Sequence, residues 1–460
     1  MSQKWYFMNF KMAKQRLPTK EELIKYNELC SKAFSRMAGS RVDVELEPFP
    51  LPEVFITKSY IFKANVEAKD TDSGSVNIPS KVIIKEYIPG IMGTSDDEDI
   101  TDFEFRKEKA VLDLDIHLNG EGERIRIYPK LYSKDVLECD DDRVIIREFL
   151  NEKNLEQIAE EQLKTGGIKW EAAVGTPAIS DSLYAIALLH VQSPVISNSL
   201  KERNLLKFDV PEEASSVAIA EDRTERFGKY ALKLAKELGK ELDDEDKLKL
   251  TDSFFELDKK YVSRKDLLSI VDGELDVFPH HAMLKRIPDA GGVEVGGFVR
   301  DLAIYSSPVF GTLWEKPENM PRKVGETYFN IRNQLESRLR YDSVDFDNDL
   351  LDLGILFASF MGNLRKAAAI VHYNEKSGSV SLEKEISKYL VNGLKYIDAF
   401  VHLVGKEDSS KAKTIGQILR KYGLETDTYK FSNNSSRNSR RSSLNLLMGL
   451  PHHSQKKVSV

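Results

Sequence analysis

The feature that most constrains this chain is a change in the spacing of its apolar residues near position 150. Before that point, Val42 to Phe49, Tyr60 to Ala68 and Lys81 to Tyr87 alternate apolar and polar residues, the period of two that is typical of half-buried strands. From Asn154 to Val404, most apolar residues instead recur with helical spacing. A strand-rich part followed by a helical part predicts an α+β fold, with a β-rich N-terminal lobe and a larger helical C-terminal lobe.

Smaller elements refine this division. A helix from Asp102 to Asp115 is expected before two further strands, Ile125 to Leu131 and Arg143 to Phe149. A segment rich in Gly, Pro and His, Leu267 to Phe298, is expected to interrupt the helical lobe as irregular chain. The other segments have the apolar stripe of amphipathic helices, and they are Thr19 to Met37, Asn154 to Leu163, Ser180 to Gln192, Ala218 to Leu238, Asp244 to Tyr261 and Val324 to Val404.

The chain has 460 residues, of which 41% are hydrophobic, and this is enough for a core in each of two lobes. We divide it into a helical extension (1–41), the β-rich lobe (42–150), the helical lobe (151–430) and a tail (431–460). The tail is basic and rich in serine, with no acidic residue after Lys430, so it is predicted to be disordered. If a protein partner binds, the tail is the expected place.

The charge balance excludes some classes of protein. With 74 acidic and 67 basic residues, the net charge is -7, which argues against binding nucleic acid through the whole surface. Charged residues break the apolar runs, so no contact with a membrane is expected. The first residues lack the apolar core of a signal peptide. The expectation is a cytoplasmic protein.

A lysine inside an apolar strand is the first candidate for chemistry. Lys85 lies in Val82-Ile-Ile-Lys-Glu-Tyr and shares a face with Tyr87. Burying its ammonium group costs free energy unless a carboxylate pairs with it. Glu108, on the following helix, is the favoured partner, and Glu104 lies one turn earlier. The alternative is an edge-strand lysine whose alkyl chain lies along the surface.

Two further segments, a strand and a helix, follow Lys85 and Glu108 in the sequence. Arg143-Val-Ile-Ile-Arg-Glu-Phe-Leu is an apolar strand that ends in a hinge, and Ser182-Leu-Tyr-Ala-Ile-Ala-Leu-Leu is a helix that ends at His190. After Lys85 and Glu108, this order resembles the aminoglycoside phosphotransferase and choline kinase superfamily, of which the chain would be a divergent member. The resemblance implies a two-lobed protein-kinase-like fold. It also implies that ATP binds to the β-rich lobe, where the adenine would contact the hinge residues Glu148, Phe149 and Leu150.

The catalytic loop of that superfamily has the sequence H-G-D-L-H-P-G-N. The similar segment here is Glu274-Leu-Asp-Val-Phe-Pro-His-His281. Aligned without a gap, Asp276 falls on the catalytic aspartate and His281 on the metal-binding asparagine. A second register places Asp272-Gly-Glu-Leu on H-G-D-L, which makes Glu274 the base and requires a two-residue insertion before Pro279. We favour the first register because it keeps the spacing between the base and the metal ligand.

The segment Gly297-Phe-Val-Arg-Asp resembles the strand that carries the later metal-binding aspartate of the superfamily. The resemblance implies that Asp301 and His281 hold Mg²⁺, while Lys85 and Glu108 position the phosphates. The implied activity is transfer of phosphate from ATP to the alcohol group of an acceptor, a small hydroxyl- or amine-bearing metabolite oriented by Asp276.

Departures from the superfamily pattern keep an alternative open. Pro50 to Ser59 contains no glycine, although a glycine-rich loop is expected there. Histidine replaces asparagine at His281, and magnesium prefers oxygen ligands. The alternative function is a pseudokinase-like binding or scaffold protein without phosphotransfer activity.

Overall fold

The computed structural model describes residues 19–48, 59–68, 79–87, 97–114, 117–119, 124–132, 144–151, 153–163, 170, 177–208, 213–273, 275, 282, 286–288, 290–314, 316–339, 341, 346–377 and 382–424. The loop residues Glu274, Asp276 and His281 therefore lie outside the described residues, as does the tail.

The β-rich lobe is built on a four-stranded antiparallel sheet in the order β1-β2-β3-β6. Its strands are β1 (Val42–Pro48), β2 (Ser59–Ala68), β3 (Lys81–Tyr87) and β6 (Val144–Glu148). Helix α1 (Lys20–Ala38) precedes the sheet, and α2 (Asp97–Asp113) follows β3. Two short paired strands, β4 (His117–Asn119) and β5 (Arg124–Arg126), come between α2 and β6.

Helix α1 covers one face of this sheet. Thr19 caps the helix and exchanges hydrogen bonds with Glu22, which satisfies amide groups that the first turn leaves open. The side chains of Tyr26 and Phe34 pack into a buried cluster with alternate strand residues such as Val82 and Ile84. Because side chains alternate along a strand, Lys85 and Tyr87 lie on the opposite face, toward α2 and the helical lobe.

The helical lobe contains most of the remaining chain. Its helices are α3 (Leu155–Leu163), α4 (Pro177–Val191), α5 (Ser193–Glu202), α6 (Glu213–Glu237), α7 (Asp244–Tyr261), the short α8 (Val299–Leu302), α9 (Asn319–Leu339), α10 (Asn348–Ser377), α11 (Leu382–Leu403) and α12 (Lys406–Lys421). Within the described chain, one stretch of α10, Asn348–Val371, is long and apolar enough to cross a membrane, but most of it is buried inside the protein. It is the central helix of this lobe's core.

A two-stranded antiparallel sheet lies inside the helical lobe. It consists of β7 (Leu268–Asp272) and β8 (Val293–Gly297), and all five residues of β7 are buried. The candidate loop leaves β7 at Asp272, and Asp301 follows β8 by four residues. This small sheet therefore holds both ends of the segment in which the sequence motifs lie.

The predicted α+β arrangement is confirmed, with a strand-rich N-terminal part and a helical C-terminal part. Three details of the prediction are wrong. The segment Leu267 to Phe298 was expected to be irregular but contains β7 and β8. The strand predicted from Ile125 to Leu131 is confined to β5, although Leu131 forms an isolated bridge with Arg147. Helices α5 and α12 were not predicted, because a polar composition hides the apolar stripe of each.

Candidate active site

Lys85 is nearly buried on β3, with 7% of its surface exposed. It pairs with Ile145 of β6 and Ile61 of β2 in the sheet, so it belongs to a central strand and not to an edge. Its ammonium group also lies 4.7 Å from the ring centre of Tyr87. The edge-strand alternative is therefore wrong, and a buried cation at this position requires acidic or aromatic partners.

Glu108 supplies the acidic partner. Its carboxylate is fully buried and accepts a hydrogen bond from Lys85 Nζ at 2.5 Å and one from Arg147 Nη1 at 3.0 Å. The hydroxyl of Tyr87 donates to the same carboxylate. The predicted pairing of Lys85 with Glu108 is confirmed. A carboxylate can be buried at a tolerable cost only when several donors satisfy its oxygens, and here three side chains do so.

Arg147 is a member of this cluster that the sequence analysis did not single out. It lies in the apolar strand β6, as Lys85 lies in β3, so the same reasoning about a buried cation would have found it. Besides Glu108, its guanidinium donates to the carbonyl of Pro288, a residue of the helical lobe. The cluster of Lys85, Glu108 and Arg147 therefore spans the two lobes, and its two cations share one carboxylate.

The hinge residues follow directly after this cluster. The amide of Glu148 donates to the carbonyl of Lys130, and its carboxylate accepts from the Lys130 amide at 3.0 Å. Phe149 and Leu150 are half-buried. The backbone of Glu148 is thus fixed by a neighbouring segment, and contact of the hinge with adenine stays a prediction.

The candidate catalytic loop begins at a glycine for a steric reason. A Cβ on Gly273 would lie 2.6 Å from Glu294 Oε1 and 3.2 Å from Arg300 Nη2, so the ends of these two side chains would have to shift to admit it. Leu275 is fully buried. Of the chain that follows, only 275, 282 and 286–288 are described before β8, so the positions of Glu274, Asp276 and His281 stay predictions.

Asp301 is fully buried and contacts the start of the loop. Its Oδ2 accepts a hydrogen bond from the amide of Asp272, at 3.2 Å, and one from His190 Nε2, at 2.9 Å. Asp272 is the last residue of β7. These contacts describe an anchor that fixes the residue from which the loop departs. The metal-binding role expected of Asp301 stays a prediction.

His190, at the end of the segment from Ser182 that the sequence analysis singled out, connects Asp301 to α9. Its Nδ1 lies 2.8 Å from the Tyr328 hydroxyl, which also accepts from Arg332 Nη1 at 3.1 Å. Burial, aided by the charge of Arg332, holds the pKa of His190 well below its usual value. The imidazole is therefore neutral: Nε2 donates to Asp301 and Nδ1 accepts from Tyr328. Arg332 in turn donates to Glu336 at 2.6 Å.

A second group of charges surrounds the first residue of the loop. Glu294 of β8 lies 2.6 Å from Arg300 and 3.6 Å from Arg226. Burial alone would raise the pKa of Glu294, but Arg300 and Arg226 outweigh it and lower the pKa to about 2. Arg365 of α10 donates to the carbonyl of Gly273. Arg300 is a departure from the superfamily motif. The structure shows that its partner is Glu294, which the sequence motif did not indicate.

The described residues offer an incomplete set of donors for magnesium. Among them, no group of three His, Cys, Asp or Glu side chains converges as a metal site. Asp301 has the carboxylate oxygens that magnesium prefers, and its Oδ2 is already an acceptor for two protein groups. Asp301 alone supplies too few ligands for magnesium, so a metal site would also need ligands from loop residues that the structure does not describe.

No protein-family model matches the chain, and no curated protein is significantly similar to it in sequence. Solved structures are similar in fold. A choline kinase from Cryptosporidium parvum Iowa II has 12% identity, with 83% of this chain and 94% of that chain covered, at a TM-score of 0.44. An ethanolamine kinase from Plasmodium vivax has 13% identity, with 87% and 93% covered, at 0.44. A macrolide 2'-phosphotransferase from Brachybacterium faecium has 12% identity, with 80% and 97% covered, at 0.38.

Each of these three solved structures is of a kinase or phosphotransferase, by its own name. The identities are 12–13% and the TM-scores 0.38–0.44, so these comparisons carry no argument about what this chain does. At this distance the likeness concerns the arrangement of elements. Function has to be argued from the side chains themselves.

Proposed function

We propose that this protein is an ATP-dependent phosphotransferase that acts on a small hydroxyl- or amine-bearing metabolite. The observation that carries the proposal is the buried ion pair of Lys85 with Glu108, 2.5 Å apart, on a central strand and the helix that follows it. Phosphoryl transfer needs a fixed cation beside the phosphates, and a glutamate on an adjoining helix is a means of fixing it. The cytoplasm, expected from the sequence, is a suitable compartment.

In this proposal the cluster binds and orients the nucleotide. Lys85 contacts phosphate oxygens, Glu108 holds the lysine side chain in one rotamer, and Arg147 joins the pair to the helical lobe. The hinge residues Glu148, Phe149 and Leu150 bind the adenine. Asp301 and His281 would hold Mg²⁺, which would supply charge neutralisation on the phosphates when bound. The chain's own contribution is position and charge, because this reaction requires little covalent work from the protein.

The base that orients the acceptor hydroxyl is Glu274 or Asp276. Two observations now favour the second register, in which Glu274 has this role. Gly273 then falls on the glycine of the superfamily motif, where a Cβ would displace the ends of the Glu294 and Arg300 side chains. Leu275 falls on the leucine of the motif, and its side chain is fully buried. In the first register, Leu275 would replace the glycine.

The test is binding of Mg·ATP to wild type and to Lys85→Met, by calorimetry. Methionine keeps the apolar stem and leaves Glu108 with Tyr87 and Arg147 as donors, so the fold should persist. Loss of a hydrogen bond to a charged group costs ~1.5–3 kcal/mol, and we expect ATP affinity to fall roughly 10- to 100-fold.

Lys249→Met is the control. Lys249 is an exposed lysine on α7 that pairs with Glu245 at 2.5 Å, within the helical lobe. Its loss should leave ATP affinity unchanged. Equal affinities for wild type and Lys85→Met would exclude the proposed role of the cluster. Binding of ATP without turnover of any metabolite would support the pseudokinase-like alternative instead.

A further inference from the structure

The backbone at the start of the candidate catalytic loop has a partner on the central helix of the lobe. The carbonyl of Gly273 accepts a hydrogen bond from Arg365 Nη1 of α10, which is 92 positions away in the sequence. The amide of Gly273 donates to the carbonyl of Gly292 at 2.9 Å. Both polar backbone groups of this residue are therefore satisfied, the carbonyl by a charged side chain and the amide by neighbouring backbone.

Arg365 is an unusual residue for its place in α10. From Leu353 to Val371, the only charged residues are Arg365 and Lys366. The two side chains have different partners, because Lys366 Nζ lies 5.9 Å from the ring centre of Tyr389 on α11, whereas Arg365 reaches Gly273. A half-buried guanidinium in an apolar helix costs free energy unless acceptors satisfy it. Its contact with the loop is one such acceptor.

Arg365 also belongs to the group of charges around Glu294. Burial raises the pKa of that carboxyl, but three guanidinium groups outweigh burial and lower the pKa, those of Arg300, Arg226 and Arg365. Arg226 pairs with Asp222 as well, at 2.6 Å. The three cations exceed the two carboxylates, so the surroundings of the first loop residue carry positive charge. This charge favours the ionised form of a carboxylate that follows in the chain.

The carbonyl that Arg365 holds belongs to the peptide bond between Gly273 and Glu274. A peptide unit is planar, so fixing its oxygen fixes the plane of the whole unit. Leu275, the next residue that the structure describes, is fully buried, and its amide donates to the carbonyl of Asp272 at 2.9 Å. The contacts on both sides therefore limit the directions in which a side chain between them can extend.

We propose that Arg365 is a positioning residue, which fixes the backbone from which the base of phosphoryl transfer extends. The inference rests on the proposed function and adds to it a contact from α10. Asp301 holds the loop through the amide of Asp272, whereas Arg365 holds it through the carbonyl of Gly273. Arg365 itself would touch neither the nucleotide nor the acceptor. Its loss should therefore lower the rate of the chemical step and leave substrate binding almost unchanged.

The test is steady-state turnover of ATP with a pool of candidate metabolites, by wild type and by Arg365→Met. Methionine keeps the apolar stem and favours a helix, so the fold should persist. A misplaced catalytic group can cost roughly 10²-fold in rate, so we expect kcat to fall about 10- to 100-fold with KM for ATP unchanged. Arg365→Lys keeps a donor for the Gly273 carbonyl and should recover most of kcat.

Lys366→Met is the matched control, because it removes the same charge from the neighbouring position of α10. Lys366 contacts the ring of Tyr389 on α11, so the kcat of this variant should equal that of wild type. The proposal would be overturned by an unchanged kcat in Arg365→Met, by equal losses in Arg365→Met and Lys366→Met, or by a lysine variant no faster than the methionine variant.

Hydrogen exchange decides the question without catalysis. Exchange at the amide of Leu275 should be about tenfold faster in Arg365→Met than in wild type, because the turn that it closes would lose a fixed end. The amide of Ile270 in β7, which donates to Ser193 Oγ at 2.8 Å, should exchange equally in both. Equal exchange at Leu275 would overturn the role of Arg365 even in an active kinase. Faster exchange in a protein that turns over no metabolite would remove the proposed function and leave Arg365 as the group that holds the loop.

Discussion

Two of the buried polar clusters in the described part of this protein, the Lys85 cluster and the Asp301 cluster, handle charge in different ways. In the Lys85 cluster, two cations and one carboxylate meet directly, with N–O distances of 2.5 and 3.0 Å. In the Asp301 cluster, a neutral histidine lies between an aspartate and a tyrosine, and the groups are joined by ordinary hydrogen bonds. The Lys85 cluster is joined by ion pairs, whereas the contacts of His190 in the Asp301 cluster are hydrogen bonds of a neutral side chain.

This difference indicates which role each cluster can have in the function of the protein. Buried ion pairs are costly to assemble, because both partners lose hydration, so they add little to stability compared with a well-packed apolar core. Such a pair is worth retaining where a fixed charge is needed for chemistry. The hydrogen-bonded chain Glu336–Arg332–Tyr328–His190–Asp301 has an ion pair at its Arg332–Glu336 end and a neutral imidazole next to Asp301, and such a chain can specify one packing arrangement. We therefore assign nucleotide chemistry to the first cluster and loop positioning to the second.

The largest expected effect concerns the loop that leaves Asp272. If Glu274 is the base, Glu274→Gln should lower turnover by roughly 10²–10⁴-fold with ATP affinity nearly unchanged, because the carboxylate acts on the acceptor hydroxyl. Asp276→Asn should then be mild. The measurement is steady-state ATP turnover with a pool of candidate metabolites. The reverse result would restore the ungapped register, in which Asp276 is the base.

A smaller effect is expected on folding when the ionic cluster is broken. Glu108→Ala leaves Lys85 and Arg147 close together without the carboxylate that they share, and removing one partner of a buried pair costs about 3–5 kcal/mol. Thermal unfolding should therefore shift down by several degrees. Glu47→Ala is the control, because Glu47 is exposed on the edge strand β1 and its salt bridge with Lys63 is screened by solvent. Equal melting temperatures for the two variants would contradict the assignment of Glu108.

Sequence reasoning reached the ionic cluster because its signal is local. A lysine within Val82-Ile-Ile-Lys is anomalous by itself, and the apolar stripe of the next helix indicates which glutamate faces the sheet. The two residues are 23 positions apart on adjoining elements. Arg147 carries the same anomaly in β6 and could have been found in the same way.

The hydrogen-bonded cluster could not be found in this manner. His190 is 111 positions from Asp301 and 138 from Tyr328, and the sequence motifs that indicated His190 and Asp301 did not indicate that they contact each other or Tyr328. Their contact depends on how α4, α8 and α9 pack together, which the periodicity of apolar residues does not encode. The strands β7 and β8 were missed for a related reason, since a short buried strand has the composition of irregular chain when Gly and Pro lie nearby.

The last prediction separates the two roles of Asp301, a loop anchor and a metal ligand. As an anchor, its carboxylate accepts from the amide of Asp272 and from His190. Asp301→Asn replaces a charged acceptor with a neutral one that also presents an amide donor, so we expect a loss of about 1–3 kcal/mol in folding free energy. His190→Leu removes the other end of the same hydrogen bond and should cause a similar loss.

As a metal ligand, Asp301 would behave differently, because excess Mg²⁺ would restore the ATP affinity of Asp301→Asn and His190→Leu would leave the magnesium dependence unchanged. Melting temperatures and ATP titrations at several magnesium concentrations distinguish the two cases. His402→Leu, at an exposed histidine of α11, is the control for the loss of an imidazole. The contacts around Asp272 predict that both Asp301→Asn and His190→Leu lower the melting temperature and that magnesium rescues neither. An Asp301→Asn protein as stable as wild type, with its ATP affinity restored by magnesium, would instead make Asp301 part of the nucleotide site and leave Asp272 to be held by other groups.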